Sequence, residues 1–224
     1  MPRQARIVVP YHLHHVTQRG NYRQNIFEED ADRIYYLKLI EEYRNKYHND
    51  IFAFCLMNNH VHFIIRPQNE KSLAGIFCRA HQRYSLYFHK KKNIKGHLWQ
   101  ERFYSCLLQG SHIETALRYV NRNPVRAGIV SDPWQYTWSS ARAHMGEKYN
   151  LVQLADIREY IPEVSWKSFL SEKENEETLK SIRETTAKGL VLGTIEFVKE
   201  LEEKLSRAFT LQPRGRPKSK RPSY

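Results

Sequence analysis

Hydrophobic and polar positions along the chain follow two periods, and the switches between them mark the elements. Residues 7–18 (IVVPYHLHHVTQ) are β-rich and predict a strand, with Pro10 at its edge or start. RGNYRQ (19–24) predicts a turn. Residues 28–47 open with EEDAD, acids suited to a helix N-terminus, and continue with Tyr36, Ile40, Tyr43 and Tyr47 at helical spacing. IFAFCLM (51–57) is short and continuously apolar, which predicts a buried strand. Asn58-Asn59 can turn the chain. HVHFIIR (60–66) then alternates, with His60, His62 and Ile64 on one face and Val61, Phe63 and Ile65 on the other. The pair reads as an antiparallel hairpin at a sheet centre.

Residues 72–89 predict a helix with Leu73, Phe77, Ala80, Tyr84 and Tyr87 as its stripe. A Gly-containing loop (94–102) leads to a strand at YSCLLQ (104–109). Residues 111–122 predict a helix, with Ser111 as N-cap and Glu114 at the capping-box position, ending at Asn123-Pro124. Residues 125–150 are loop-like and aromatic. Short helices follow, the clearest at 195–205 with Thr194 as cap. The order β-α-β-β-α-β matches a ferredoxin-like α+β sandwich with a central antiparallel sheet. The expected organisation is a main domain (1–150), a helical C-terminal module (151–210) and a basic tail (211–224).

Charge changes the picture. The 224 residues carry Lys+Arg 36 against Asp+Glu 24, a formal net charge of +12. Residues 79–126 hold ten Lys/Arg and two Asp/Glu, whereas 151–213 hold nine and twelve. The tail RGRPKSKR (214–221) holds five Lys/Arg and no Asp/Glu. A basic middle interleaved with aromatics and histidines (HKKKNIKGHLWQERFY, 89–104) points to nucleic acid, since bases stack on rings and cations pair with phosphates. Candidate contacts are Arg19, Arg23, Arg83, Lys90, Lys91, Lys92, Lys95, His97, Trp99, Arg102, Arg122 and Arg126. Arg214, Arg216 and Lys218 of the tail resemble minor-groove arms. Trp99 also reads as a core residue beside Leu98 and Phe103. Three scattered cysteines argue against disulfide frameworks and cysteine-based zinc sites. No apolar run is long enough to span a membrane. The expected location is the cytoplasm of a prokaryote, with the nucleoid.

The candidate chemistry lies in two places. Period-two geometry points His60 and His62 to one face, where two imidazoles can share a divalent metal. His-x-His is a cheap pattern, however: His12 and His14 repeat it on the first strand, and sequence alone leaves open which face they line. On the helix at 111–122, Tyr119 and Asn123 are i and i+4 neighbours. Asn123 offers a carboxamide oxygen to a metal, and Tyr119 a phenol that would be a nucleophile beside a metal-bound phosphate. Tyr84 is a rival nucleophile, and its stripe argues for core packing.

The segments CLMNNHVHFII, YSLYF, GHLWQERFYS, LRYVNRNPVRAGIV and YTWSSARAH, in that order over roughly residues 11–145, closely resemble the single-tyrosine transposases with a His-hydrophobic-His motif. The likeness is closest to their REP-associated branch. The resemblance implies a ferredoxin-like nuclease domain acting on single-stranded DNA with hairpin-forming ends. It implies that His60, His62 and Asn123 hold Mg²⁺ or Mn²⁺ and that Tyr119 is the nucleophile. Two departures stand out: Arg122 replaces an apolar residue before Asn-Pro, and His89 with Lys90–Lys92 replaces an Asn followed by arginines. Other readings are a non-cleaving nucleic-acid-binding module, a metal-dependent hydrolase, and a rolling-circle initiator or relaxase. A homodimer is compatible with all of them.

Overall fold

The computed structural model describes residues 6–148, 151–161 and 165–209. Arg214, Arg216 and Lys218, with the rest of the tail, lie outside the described residues.

Strand β1 (His14–Arg19) leads through a single 3-10 turn to helix α1 (Asp30–Lys46). The acids before α1 act as expected of a helix start: the Asp32 carboxylate accepts from the backbone N–H groups of Glu28 and Glu29, at 2.9 and 3.1 Å. Strands β2 (Asn49–Met57) and β3 (His60–Pro67) form the predicted hairpin, with Met57 opposite His60 and Cys55 opposite His62. Helix α2 (Ser72–Lys92) ends at Asn93 in the left-handed conformation, and β4 (Tyr104–Leu108) and α3 (His112–Asn121) follow. Ser111 does not cap α3 with its side chain. Helicity breaks at Arg122 and resumes for one turn as α4 (Asn123–Arg126), because proline is tolerated in a first turn.

The sheet order is β2-β3-β1-β4-β5, and both β3 and β4 pair antiparallel with β1. This is the predicted α+β sandwich. One face (Val16, Phe54, Leu56, Val61, Phe63, Ile65) packs on α1 and α2, with Tyr36, Phe77 and Tyr84 filling the gap. The opposite face (Ala53, Cys55, Ile64, Cys106) packs on α3. Burial on both sides explains why β2 is apolar throughout. A register shift between Ile51 and Ala53 turns Phe52 and Ala53 to the α3 side together. Phe63 is fully buried, so Phe63→Ala would cost about 3–5 kcal/mol.

The C-terminal part is not purely helical. Beyond α5 (Ala141–His144), α6 (Trp166–Ser171) and α7 (Glu176–Lys188), strand β5 (Val191–Leu192) pairs parallel with β4, which makes the sheet mixed. Helix α8 (Ile195–Lys204) follows, and Thr194 caps it by accepting from the Phe197 N–H. Leu179 and Ile182 of α7 share a core with α3. Arg122 explains itself here. It donates to the Leu170 carbonyl at 2.6 Å and pairs with buried Glu174 at 3.2 Å, while Arg126 takes the other Glu174 oxygen at 3.1 Å.

Candidate functional site

The α3 face of the sheet carries a short histidine row. On β1 the same parity that sends Val16 to the α1 side sends His15, Thr17 and Arg19 to the α3 side. On β3, His62 sits opposite Thr17 and His60 opposite Arg19. The His60 and His62 rings are 5.0 Å apart, and the His15 ring lies nearly parallel to His62 with 5.1 Å between centroids. The Tyr119 ring presents edge-on to both His15 and His62, 5.6 Å from each. Asn123 is buried one turn further on and donates to the Tyr119 carbonyl at 3.4 Å. His15, His62 and Tyr119 border a cleft of about 330 Å³ that also receives Arg19, Arg183 and Thr186, while His60 and Asn123 lie outside its lining.

The first-strand histidines divide. His14 turns away, accepting from the Val9 N–H and meeting the His12 carbonyl, and His12 stacks on Phe197. Neither reaches the row. His15, which belongs to no His-x-His pattern, does. Its signal was strand parity, but that parity has meaning only once the β1–β3 register is known.

Hydrogen bonds set the chemistry of the row. His60 Nδ1 meets the Asn59 Oδ1 acceptor at 2.6 Å, so Nδ1 carries the proton and Nε2 keeps its lone pair. His62 Nδ1 is 2.9 Å from His15 Nε2. Burial pushes His60 and His15 down to about 3, with Arg126 adding to both and Arg19 to His60. His62 falls well below its usual value, again through burial first, then through the charges of its neighbours. The imidazoles are therefore neutral at pH 7 and able to ligate. No group of three or more His, Cys, Asp or Glu among the described residues is placed to hold a metal ion. Two neutral imidazoles and a carboxamide nonetheless match the donor preferences of Mn²⁺ better than those of Mg²⁺.

The predicted cations separate into engaged and open ones. Arg83 is bidentate on Glu42, Lys91 binds Asp32 and Glu29, Lys92 binds Glu28, and Arg122 and Arg126 share Glu174. Arg19, Arg23, Lys90, Lys95 and Arg102 carry no ion pair among the described residues. His97, Trp99 and Arg102 line a second, open cleft of about 640 Å³. Trp99 is half-buried there, its indole N–H donating to the His81 carbonyl at 3.1 Å. Tyr84 is fully buried on the other side of the sheet and donates to the Ile26 carbonyl, which removes it as a nucleophile.

The site is thus a pair of histidines and a helix-borne tyrosine gathered on one face of an α+β sheet. The sequence comparison is more specific. Residues 8–123, just over half of the chain, match the family described as "Transposase IS200 like". The chain belongs to the IS200-like transposase family, membership of which implies DNA cleavage and transfer. Its fold is similar to a solved REP-associated tyrosine transposase bound to a REP hairpin, with TM-score 0.53 and 17% identity, covering 79% of this chain and 100% of that one. A structure from Deinococcus radiodurans assigned as a transposase matches at 18% identity and TM-score 0.35, over 54% of this chain and 97% of that one. No curated protein sequence matches. No helix among the described residues is long and apolar enough to cross a membrane.

Proposed function

We propose that the protein cleaves and rejoins single-stranded DNA beside hairpin, REP-like sequences through a 5′-phosphotyrosine on Tyr119. The observation that carries this reading is the Tyr119 ring set edge-on against His15 and His62, within the family-matched span. His60, His62 and Asn123 would hold a divalent metal, Mn²⁺ or Mg²⁺. That ion would supply positive charge to the scissile phosphate as negative charge develops on its oxygens.

The chain's own groups do the rest. Tyr119 oxygen attacks phosphorus and gives up its proton to solvent. The bond from phosphorus to the 3′-oxygen breaks, and that oxygen leaves as a hydroxyl after gaining a proton. The phosphodiester becomes a phosphotyrosine ester of similar energy, so a 3′-hydroxyl can reverse the step without ATP. Arg19 and Arg183, both bordering the cleft, are placed to hold the flanking phosphates. The cleft of His97, Trp99 and Arg102 suits an unpaired base or a hairpin stem. A homodimer and a cytoplasmic, nucleoid-associated location fit this reading.

The test mixes the protein, Mn²⁺ and end-labelled hairpin DNA and resolves the products on a denaturing gel. A covalent adduct present in the wild type and Tyr84→Phe, and absent in Tyr119→Phe, is the expected result. An adduct that survives Tyr119→Phe refutes the nucleophile, and cleavage without any adduct refutes the transferase in favour of a hydrolase.

A further inference from the structure

A chain of polar contacts runs from the C-terminal part of the molecule into the histidine row. The Cys106 thiol donates to the Leu107 carbonyl at 3.4 Å. Thr186 lies beside the same thiol, where its hydroxyl opposes the upward push that burial gives Cys106. A Thr186 hydroxyl proton turned toward that sulfur leaves Oγ1 to accept from His15 Nδ1, 2.9 Å away. His15 Nδ1 then carries the ring proton, so His15 Nε2 is a lone pair and must accept from His62 Nδ1 at 2.9 Å. His62 Nδ1 is thereby protonated, and its Nε2 is left as a lone pair. Cys106, Thr186, His15 and His62 are each at most 4% exposed.

We propose that Thr186 and His15 are positioning residues that lock His62 in the Nδ1–H tautomer, and that α7 is therefore a working part of the reaction centre. Run the other way, with Thr186 donating to His15, the same hydrogen bonds would leave His62 Nε2 protonated and unable to ligate a cation. Outer partners that fix the tautomer and orientation of a ligating imidazole commonly govern affinity. Thr186 lies outside the family-matched span of residues 8–123. The assignment thus extends the site into the C-terminal part of the chain. It rests on the metal role of His62 only for its consequence; the tautomer itself stands apart from that role.

The experiment has two arms. Long-range ¹⁵N NMR of the metal-free protein reads the tautomers directly, and His15 and His62 are both expected as Nδ1–H. Finding His62 as Nε2–H overturns the proposal whatever the metal reading. In the second arm, Mn²⁺ alone is titrated and the free ion followed by EPR. Thr186→Val and His15→Phe are each expected to weaken binding roughly 10- to 100-fold. Thr186→Ser restores wild-type affinity, and adding Thr186→Val to His15→Phe costs nothing more, because Thr186 acts through His15. Unchanged affinity in Thr186→Val, or full additivity in the double variant, overturns the inference alone. Should Thr186→Val fail to fold, Thr186→Ala against Thr186→Ser makes the same comparison. Wild-type protein that takes up no Mn²⁺, or His62→Ala that binds as wild type does, overturns the metal reading instead.

Discussion

The guanidinium of Arg126 lies over the Tyr119 ring, its carbon 4.2 Å from the ring centroid, and donates to the Tyr119 carbonyl at 2.6 Å. The same arginine is tied to Glu174, so the helix bearing the phenol is clamped to the segment between α6 and α7. Glu174→Ala would leave Arg122 and Arg126 buried without their counter-charge. We expect it to lower unfolding free energy by about 3–5 kcal/mol, read from urea melts. A loss under about 1 kcal/mol would show that water reaches the pair.

Metal dependence is the simplest check on the histidine row. Chelation with EDTA is expected to abolish adduct formation, and Mn²⁺ to restore it more fully than Mg²⁺. His60→Ala and Asn123→Ala should lose Mn²⁺ affinity, while Tyr119→Phe keeps it. Cleavage that persists in excess EDTA would rule the ion out.

The open and engaged cations make a paired prediction for DNA. Lys95→Ala and Arg102→Ala should weaken hairpin binding and reduce the salt slope by ~0.7–0.9 for each phosphate no longer neutralised. Lys91→Ala should leave that slope unchanged. It should instead destabilise the fold by about 1.5–3 kcal/mol, because fully buried Asp32 loses a charged donor at 2.7 Å. Equal salt slopes for Arg102→Ala and the wild type would remove the second cleft from the DNA path.

Acid should unfold the protein through its buried histidines. Burial pushes His81 down to about 3 and His14 and His144 to about 4. An unfolded histidine titrates near 6.5, so below that pH the unfolded chain takes up protons the folded chain refuses. Stability that is complete above pH about 6.5 is then lost toward pH 3–4, at about 1.4 kcal/mol per pH unit for each such histidine. Urea midpoints measured from pH about 7 down to about 4 should fall, and His81→Gln should flatten the fall. A level profile over that range would contradict the neutral, buried rings.

The βαββαβ core was readable because periodicity and apolar runs are local signals: α1, the β2–β3 hairpin and α2 lie within a few residues of their predicted bounds. His60, His62 and Tyr119 were legible from parity and helical spacing together with the family motifs. His15 was not, because its face depends on pairing with a strand some fifty residues later in sequence. The apparent misfit at Arg122 has the same origin, since its partner Glu174 lies far downstream. Charge counting did not separate Arg83, Lys91 and Lys92 from the unpaired cations, because ion pairs between helices leave no trace in composition. Strand β5 is two residues long, too short for any alternation to show.

The bond between His15 and Thr186 closes a loop of 171 residues, and this has a consequence for timing. Synthesis is vectorial, so the histidine hairpin and the tyrosine helix leave the ribosome well before α7 does. At about 5–20 residues per second, Thr186 follows Tyr119 by roughly 3 to 13 seconds. Until then the row lacks the hydroxyl that orients it. A nascent chain still short of α7 would carry every residue of the family-matched span and still hold its histidines loosely, so the row is ordered only after α7 has been made.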